Sequence, residues 1–138
     1  MNLVSVRIIT DDVARLVAFY ERVTGVRASW ATDDFAELRT TSGTLAIGST
    51  RTLALFGAGV ADPAANRSAI VEFIVDDVDE AFAAARARGG DDLEVVQEPT
   101  TMPWGNRSLL LRDPDGTLVN LFEPVTEAAL EKFAATSR

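Results

Sequence analysis

Histidine and cysteine are both missing from this 138-residue chain, so it lacks the commonest general base, the commonest metal ligand and all thiolate chemistry. The residues still able to do chemistry are few. Arg7 and Glu72 are a cation and an anion at equivalent positions of two similar segments, 65 residues apart. They suit either an ion pair in which each satisfies the other, or a contact from one of them to a polar group of a ligand. Glu72 is the natural partner for a cationic group. A lone carboxylate can serve as a general base, but no second acid or nucleophile stands ready to complete such chemistry, and no catalytic residue is assigned. Trp30 and Trp104 are the two tryptophans, each beside a polar or irregular segment. Either can be a core residue or a platform for a flat ligand. Trp104, in Met102-Pro103-Trp104-Gly105, is the better candidate for a lip over a binding site. Phe56 and Phe122 add aromatic surface, with core packing as the competing role. Asn120 adds a neutral amide, and Asn106 and Arg107 follow the Trp104 loop, where a solvated loop position is the more ordinary role.

Two other clusters look chemical and are structural. Asp76-Asp77-Val78-Asp79-Glu80 is acidic, but its position before an apolar-periodic run reads as helix capping and dipole stabilisation. Gly57-Ala58-Gly59 is not a phosphate loop, because no Lys-Ser/Thr follows and no helix opens there.

The elements that must position these residues are written twice. Ser5 to Val26 (SVRIITDDVARLVAFYERVTGV) and Ala69 to Gly90 (AIVEFIVDDVDEAFAAARARGG) each read as a strand, an aspartate N-cap, a helix and a glycine stop. The first helix is predicted from about Val13 to Thr24 with a buried stripe of Val13, Leu16, Val17, Phe19, Tyr20 and Val23. Strands are predicted at Arg27 to Trp30, Phe35 to Thr40, Thr44 to Gly48 and Leu53 to Phe56. The second copy continues with Leu93 to Val96, an irregular Glu98 to Gly105, then Asn106 to Arg112, the turn Asp113-Pro114-Asp115-Gly116 and a strand from Thr117 to Glu123. Thr126 caps a final short helix without a counterpart in the first copy. The fold class is α+β: two tandem βαβββ modules, about 3–57 and 69–124, with a linker at about 58–68 and a C-terminal helix at about 126–136. Two such units can curve their sheets around a shared cleft with the helices outside. The apolar strand faces (Val4, Val6, Ile8; Val71, Phe73, Val75) then lie under the helices. The mixed faces, carrying Ser5, Arg7, Ile70, Glu72, Leu118, Asn120 and Phe122, look into the cleft.

A net charge of −8 argues against a nucleic-acid partner, which would require a basic face. It suits a cationic ligand, although solubility explains most acidic surfaces. No apolar run approaches the ~20 residues of a membrane span, and strand-like alternation starts too early for a signal peptide. A cytoplasmic protein without a membrane partner is expected.

The segments DDVARLVAFYERVTG, VDDVDEAFAAARARGG and WGNRSLLLRDPDGTLVNLFEP resemble the vicinal oxygen chelate superfamily: glyoxalase I, extradiol dioxygenases, fosfomycin-modifying enzymes and bleomycin-resistance proteins. The similarity covers about residues 3 to 124. In metal-dependent members, cleft-facing His and Glu residues hold a divalent ion. The positions that the resemblance would assign to those ligands are Ser5, Ile70, Asn120 and, in the first copy, Ile47 or Leu55. The implied metal set and cofactor are therefore none. Closest are the metal-free bleomycin-resistance-like members, implying a homodimer that sequesters an aromatic or cationic antibiotic or metabolite. Its expected ligand-binding residues are Arg7, Trp30, Phe56, Glu72, Trp104, Asn106, Asn120 and Phe122. The alternatives are a lyase, isomerase or dioxygenase of the same superfamily with an atypical site, and an interaction module that docks a partner through its C-terminal helix.

Overall fold

Asp12 and Asp77 start the two main helices in the same way. Each sits in extended backbone and accepts a hydrogen bond from the amide three residues on: Arg15 N at 3.0 Å for Asp12 and Glu80 N at 2.8 Å for Asp77. The structure, a computed structural model, describes residues 1–136. Two compact units emerge, Met1–Arg67 with Pro114–Gly116, and Ser68–Asp113 with Thr117–Arg138. The two-module βαβββ architecture with an added C-terminal helix is what the repeat predicts.

In the first unit, β1 (Ser5–Thr10) leads into α1 (Val13–Thr24), followed by β2 (Ser29–Thr32), β3 (Phe35–Arg39) and β4 (Thr44–Ser49). The sheet order is β1-β4-β3-β2, with β1 parallel to β4 and the other pairs antiparallel. The predicted stripe of α1 is buried throughout, and Gly25 ends the helix in the left-handed conformation (φ 72). This stripe packs on β3 and β4, where Ala36, Leu38 and Ile47 are fully buried. Burial of each large apolar side chain stabilises by about 1.5–3 kcal/mol. The start of the edge strand is left uncovered: Val4 and Val6, expected beneath the helix, are 65% and 54% exposed. The segment Leu53 to Phe56 is not a strand. Ser49 caps a 3-10 turn, Thr50–Leu53, and the chain leaves the sheet there, so the unit holds four strands.

In the second unit, β5 (Ile70–Ile74), α2 (Val78–Gly89), β6 (Glu94–Thr101), β7 (Asn106–Arg112) and β8 (Leu118–Pro124) repeat the plan, with sheet order β5-β8-β7-β6. β6 runs to Thr101, well into the stretch read as irregular. Its burial alternates from Glu94 to Thr100, but Gln97, Glu98, Pro99 and Thr100 supply no apolar residue to mark the inner face, and two register shifts, between Val95 and Gln97 and between Gln97 and Thr100, interrupt its pairing. The face under α2 carries Leu109, Leu111, Val119 and Leu121, all fully buried. Helix and sheet are also tied by polar contacts: the Arg107 guanidinium donates to Asp79 at 2.7 and 2.9 Å, and Val78 N donates to Glu123 at 2.9 Å. The DPDG turn closes β7 onto β8. Buried Asp113 accepts from Thr117 N at 3.0 Å, and Gly116 adopts φ 86 where Arg67 crosses close by. Arg67 donates to the Asp115 carbonyl at 3.1 Å, fixing the end of the linker on this turn. Finally α3 (Glu127–Lys132), capped by Thr126, follows β8 directly.

Candidate functional site

Strand register decides which side chains share a face, because cross-strand neighbours point the same way. In the second sheet, β5 and β7 both flank β8. Glu72 lies opposite Asn120, and Asn120 opposite Leu110. One step along, Ile74, Phe122 and Ser108 form the next row, followed by the pair Pro124 and Asn106. All of these lie on the face opposite the one packed on α2, where Glu72 is exposed and Asn120, Phe122, Ser108 and Pro124 are buried. Four of the five predicted site residues of this unit, Glu72, Asn106, Asn120 and Phe122, thus share a face, and the fifth, Trp104, lies in the turn between β6 and β7.

Asn120 is the centre of the arrangement. It is only 9% exposed, on an interior strand, and its Nδ2 donates to Glu72 Oε2 at 2.7 Å. A carboxylate can only accept, so this contact fixes the amide: nitrogen toward Glu72, oxygen away. Oδ1 is left buried with no partner. The same holds for Ser108 Oγ, on a side chain 4% exposed, and for Asn106 Oδ1. Three unpartnered buried oxygens therefore lie along one face of one sheet, whereas buried polar atoms are ordinarily paired. Glu72 itself is exposed. Ser108 was not singled out from the sequence. Its parity with Asn106 along one strand, and its place opposite Phe122, are the signals that would have found it.

Phe122 is 7% exposed, and its ring lies against Phe133, just beyond α3, with centroids 5.2 Å apart. The C-terminal segment thus lies over the Phe122 end of this face. It is held there through Gly105, whose carbonyl accepts from Val125 N and Thr126 N at 2.9 and 3.2 Å. Trp104 projects from the β6–β7 turn next to Gly105 and is 65% exposed.

The first unit holds the other predicted residues. Arg7 is on the open face of its sheet with its guanidinium 5.3 Å from the Phe35 ring centroid. Trp30 is opposite Ala36, so it shares the helix-packed face, at the sheet edge and 46% exposed. Phe56 follows the 3-10 turn and is 71% exposed. The other ion pairs are solvated. Hydrogen bonds from Arg51 hold the Asp34 carboxyl below its usual range, and those from Arg107 do the same to Asp79.

The chain matches the family described as Glyoxalase/Bleomycin resistance protein/Dioxygenase superfamily over residues 2–121, and it belongs to that superfamily. Among solved structures, it is similar to a glyoxalase/bleomycin resistance protein/dioxygenase family enzyme from Burkholderia phytofirmans PsJN (21% identity, TM-score 0.76, covering 91% of this chain and 100% of that one). It is also similar to TioX from Micromonospora sp. ML1 (27% identity, TM-score 0.65, 91% and 100% covered). A third similar structure is a protein of unknown function from Agrobacterium tumefaciens (24% identity, TM-score 0.72, 89% and 94% covered). No curated protein sequence matches.

The donor set does not fit the divalent ion of metal-dependent relatives. The register corrects one position: Arg7 is opposite Ala46 as Glu72 is opposite Asn120, so the first-copy counterpart of Asn120 is Ala46, not Ile47 or Leu55. The four positions therefore hold Ser5, Ala46, Ile70 and Asn120: a hydroxyl, a methyl, an alkyl chain and an amide. Among the described residues, no group of three or more His, Cys, Asp or Glu side chains could hold a metal. The described residues also include no helix long and apolar enough to cross a membrane.

Proposed function

We propose that this chain is a metal-independent small-molecule binding protein of the bleomycin-resistance type, taking an aromatic or cationic compound. The observation that carries the reading is Asn120. At the position where a ligating carboxylate would fall, the chain places a neutral amide, locks it with Glu72, and leaves its oxygen buried and unpaired. A divalent ion would require several anionic or imidazole donors there, whereas an organic ligand requires directional polar atoms beside apolar surface. Leu110, Ile70 and Phe122 supply that surface on the same face. The test is a titration of flat aromatic compounds, neutral and cationic, followed by calorimetry and by tryptophan fluorescence. Saturable binding supports the reading, and silence across a broad panel overturns it. Turnover of a ligand by protein carrying one divalent ion per chain would favour the superfamily enzymes instead.

A further inference from the structure

The unpaired oxygens on the second sheet also specify what kind of group they would accept. Asn120 Oδ1 is an acceptor whose orientation is fixed from behind by the bond from Nδ2 to Glu72 Oε2. Ser108 Oγ, one row along and on the neighbouring strand, has a free hydroxyl that can accept. Glu72 contributes a carboxylate on the solvent side of Asn120. No lysine or arginine side chain shares the Glu72–Asn120–Leu110 row or the Ile74–Phe122–Ser108 row. The nearest cations are Arg112, one row beyond Leu110 on the same face, and Lys132, whose ammonium is 5.1 Å from the Phe133 ring centroid, so the two rows themselves are rich in acceptors and carry the Glu72 charge. An anionic group would meet oxygen lone pairs and the Glu72 charge, and a purely apolar group would leave the buried oxygens unsatisfied.

From this we propose that the face of the second sheet opposite α2 is a subsite for a protonated amine. The ammonium donates to Asn120 Oδ1 and Ser108 Oγ with the Glu72 carboxylate as counter-charge, and the rest of the ligand lies along Leu110 and Phe122. This deepens the binding reading above and rests on it. The Phe133 ring covers the Phe122 end of the face, so an occupant reaching Ser108 displaces or repacks that ring.

The probe is benzylammonium, compared with benzyl alcohol and benzoate as neutral and anionic relatives, on the full-length protein at neutral pH. Chemical shifts are followed at the backbone amides and at the Asn120 side-chain NH2. Benzylammonium is expected to bind more tightly than either relative, with the largest shifts at Asn120, Ser108 and Phe133. Glu72→Gln should weaken it about fivefold at low salt, as for a solvent-screened charge contact. Asn120→Leu should weaken it at least tenfold, as for a lost hydrogen bond to a charged group. Benzoate binding as well as benzylammonium, shifts confined elsewhere, or affinity indifferent to both substitutions would overturn the subsite. If the wider aromatic panel still binds in that case, the binding reading stands without it, and if nothing binds, both fall.

Discussion

Replacing Asn120 with leucine should stabilise the protein while weakening its binding of ligand at least tenfold. Most substitutions at a residue 9% exposed on an interior strand destabilise. Here the wild-type residue carries its own penalty, since a buried acceptor without a partner costs about 1–3 kcal/mol. Leucine is close in size and meets Leu110 across the strand pair, so it introduces neither a cavity nor a clash. The substitution does lose the 2.7 Å bond to Glu72. Glu72 is exposed and recovers water, so that loss is about 0.5–1 kcal/mol. At the middle of each range the balance is a gain of about 1 kcal/mol, or a rise in melting temperature of roughly 3–4 °C for a chain of this size. Differential scanning calorimetry of Asn120→Leu against wild type, without ligand, measures it. A fall in melting temperature of more than 3–4 °C, roughly 1 kcal/mol, would refute the argument, because it would mean that Asn120 is a satisfied structural residue. Stability held below its optimum at one position is what a binding site entails.

Other substitutions probe the scaffold around that face. At Gly105, with φ 94, a Cβ would overlap Thr126 Oγ1, so Gly105→Ala should cost at least about 2 kcal/mol and loosen α3, read as faster amide exchange at Leu130 and Phe133. Gly116→Ala forces φ 86 on alanine and sets its Cβ 2.6 Å from Arg67 Nη1, so urea unfolding should show a loss of about 1–3 kcal/mol. Asp79 and Asp34 have pKa values lowered below 3.8, first by hydrogen bonds from Arg107 and Arg51. Their folded pKa lies below the unfolded one, so the stability they contribute is present above pH 3.8 and lost as pH falls through the folded value. Asp79→Asn and Asp34→Asn should each flatten the acid limb of a stability–pH curve, and an unchanged limb would show the ion pairs to be inconsequential.

Local signals in the sequence reached as far as local physics does. The capping aspartates, the α1 stripe, Gly25 and the DPDG turn each act within a few residues, and each was legible. So was the face shared by Glu72, Asn120 and Phe122, because strand parity needs only alternation. What failed depends on neighbours distant in sequence. Leu53 to Phe56 is apolar enough for a strand, but β3 and β1 already flank β4, and the chain turns away after Ser49. Val4 and Val6 read as core, yet they stand at the start of the edge strand, which is left uncovered. The pairing of Ala46 with Arg7 required the register, which no single strand reveals. Ser108 stayed hidden because a serine between Arg107 and Leu109 looks ordinary until Phe133 folds over its row.

The most direct test of the account is a binding isotherm for any ligand from the panel, measured before and after exhaustive chelation of the purified protein. The account predicts superimposable curves, with the same affinity and stoichiometry. Binding that disappears on chelation and returns when one equivalent of a divalent ion is restored would contradict it.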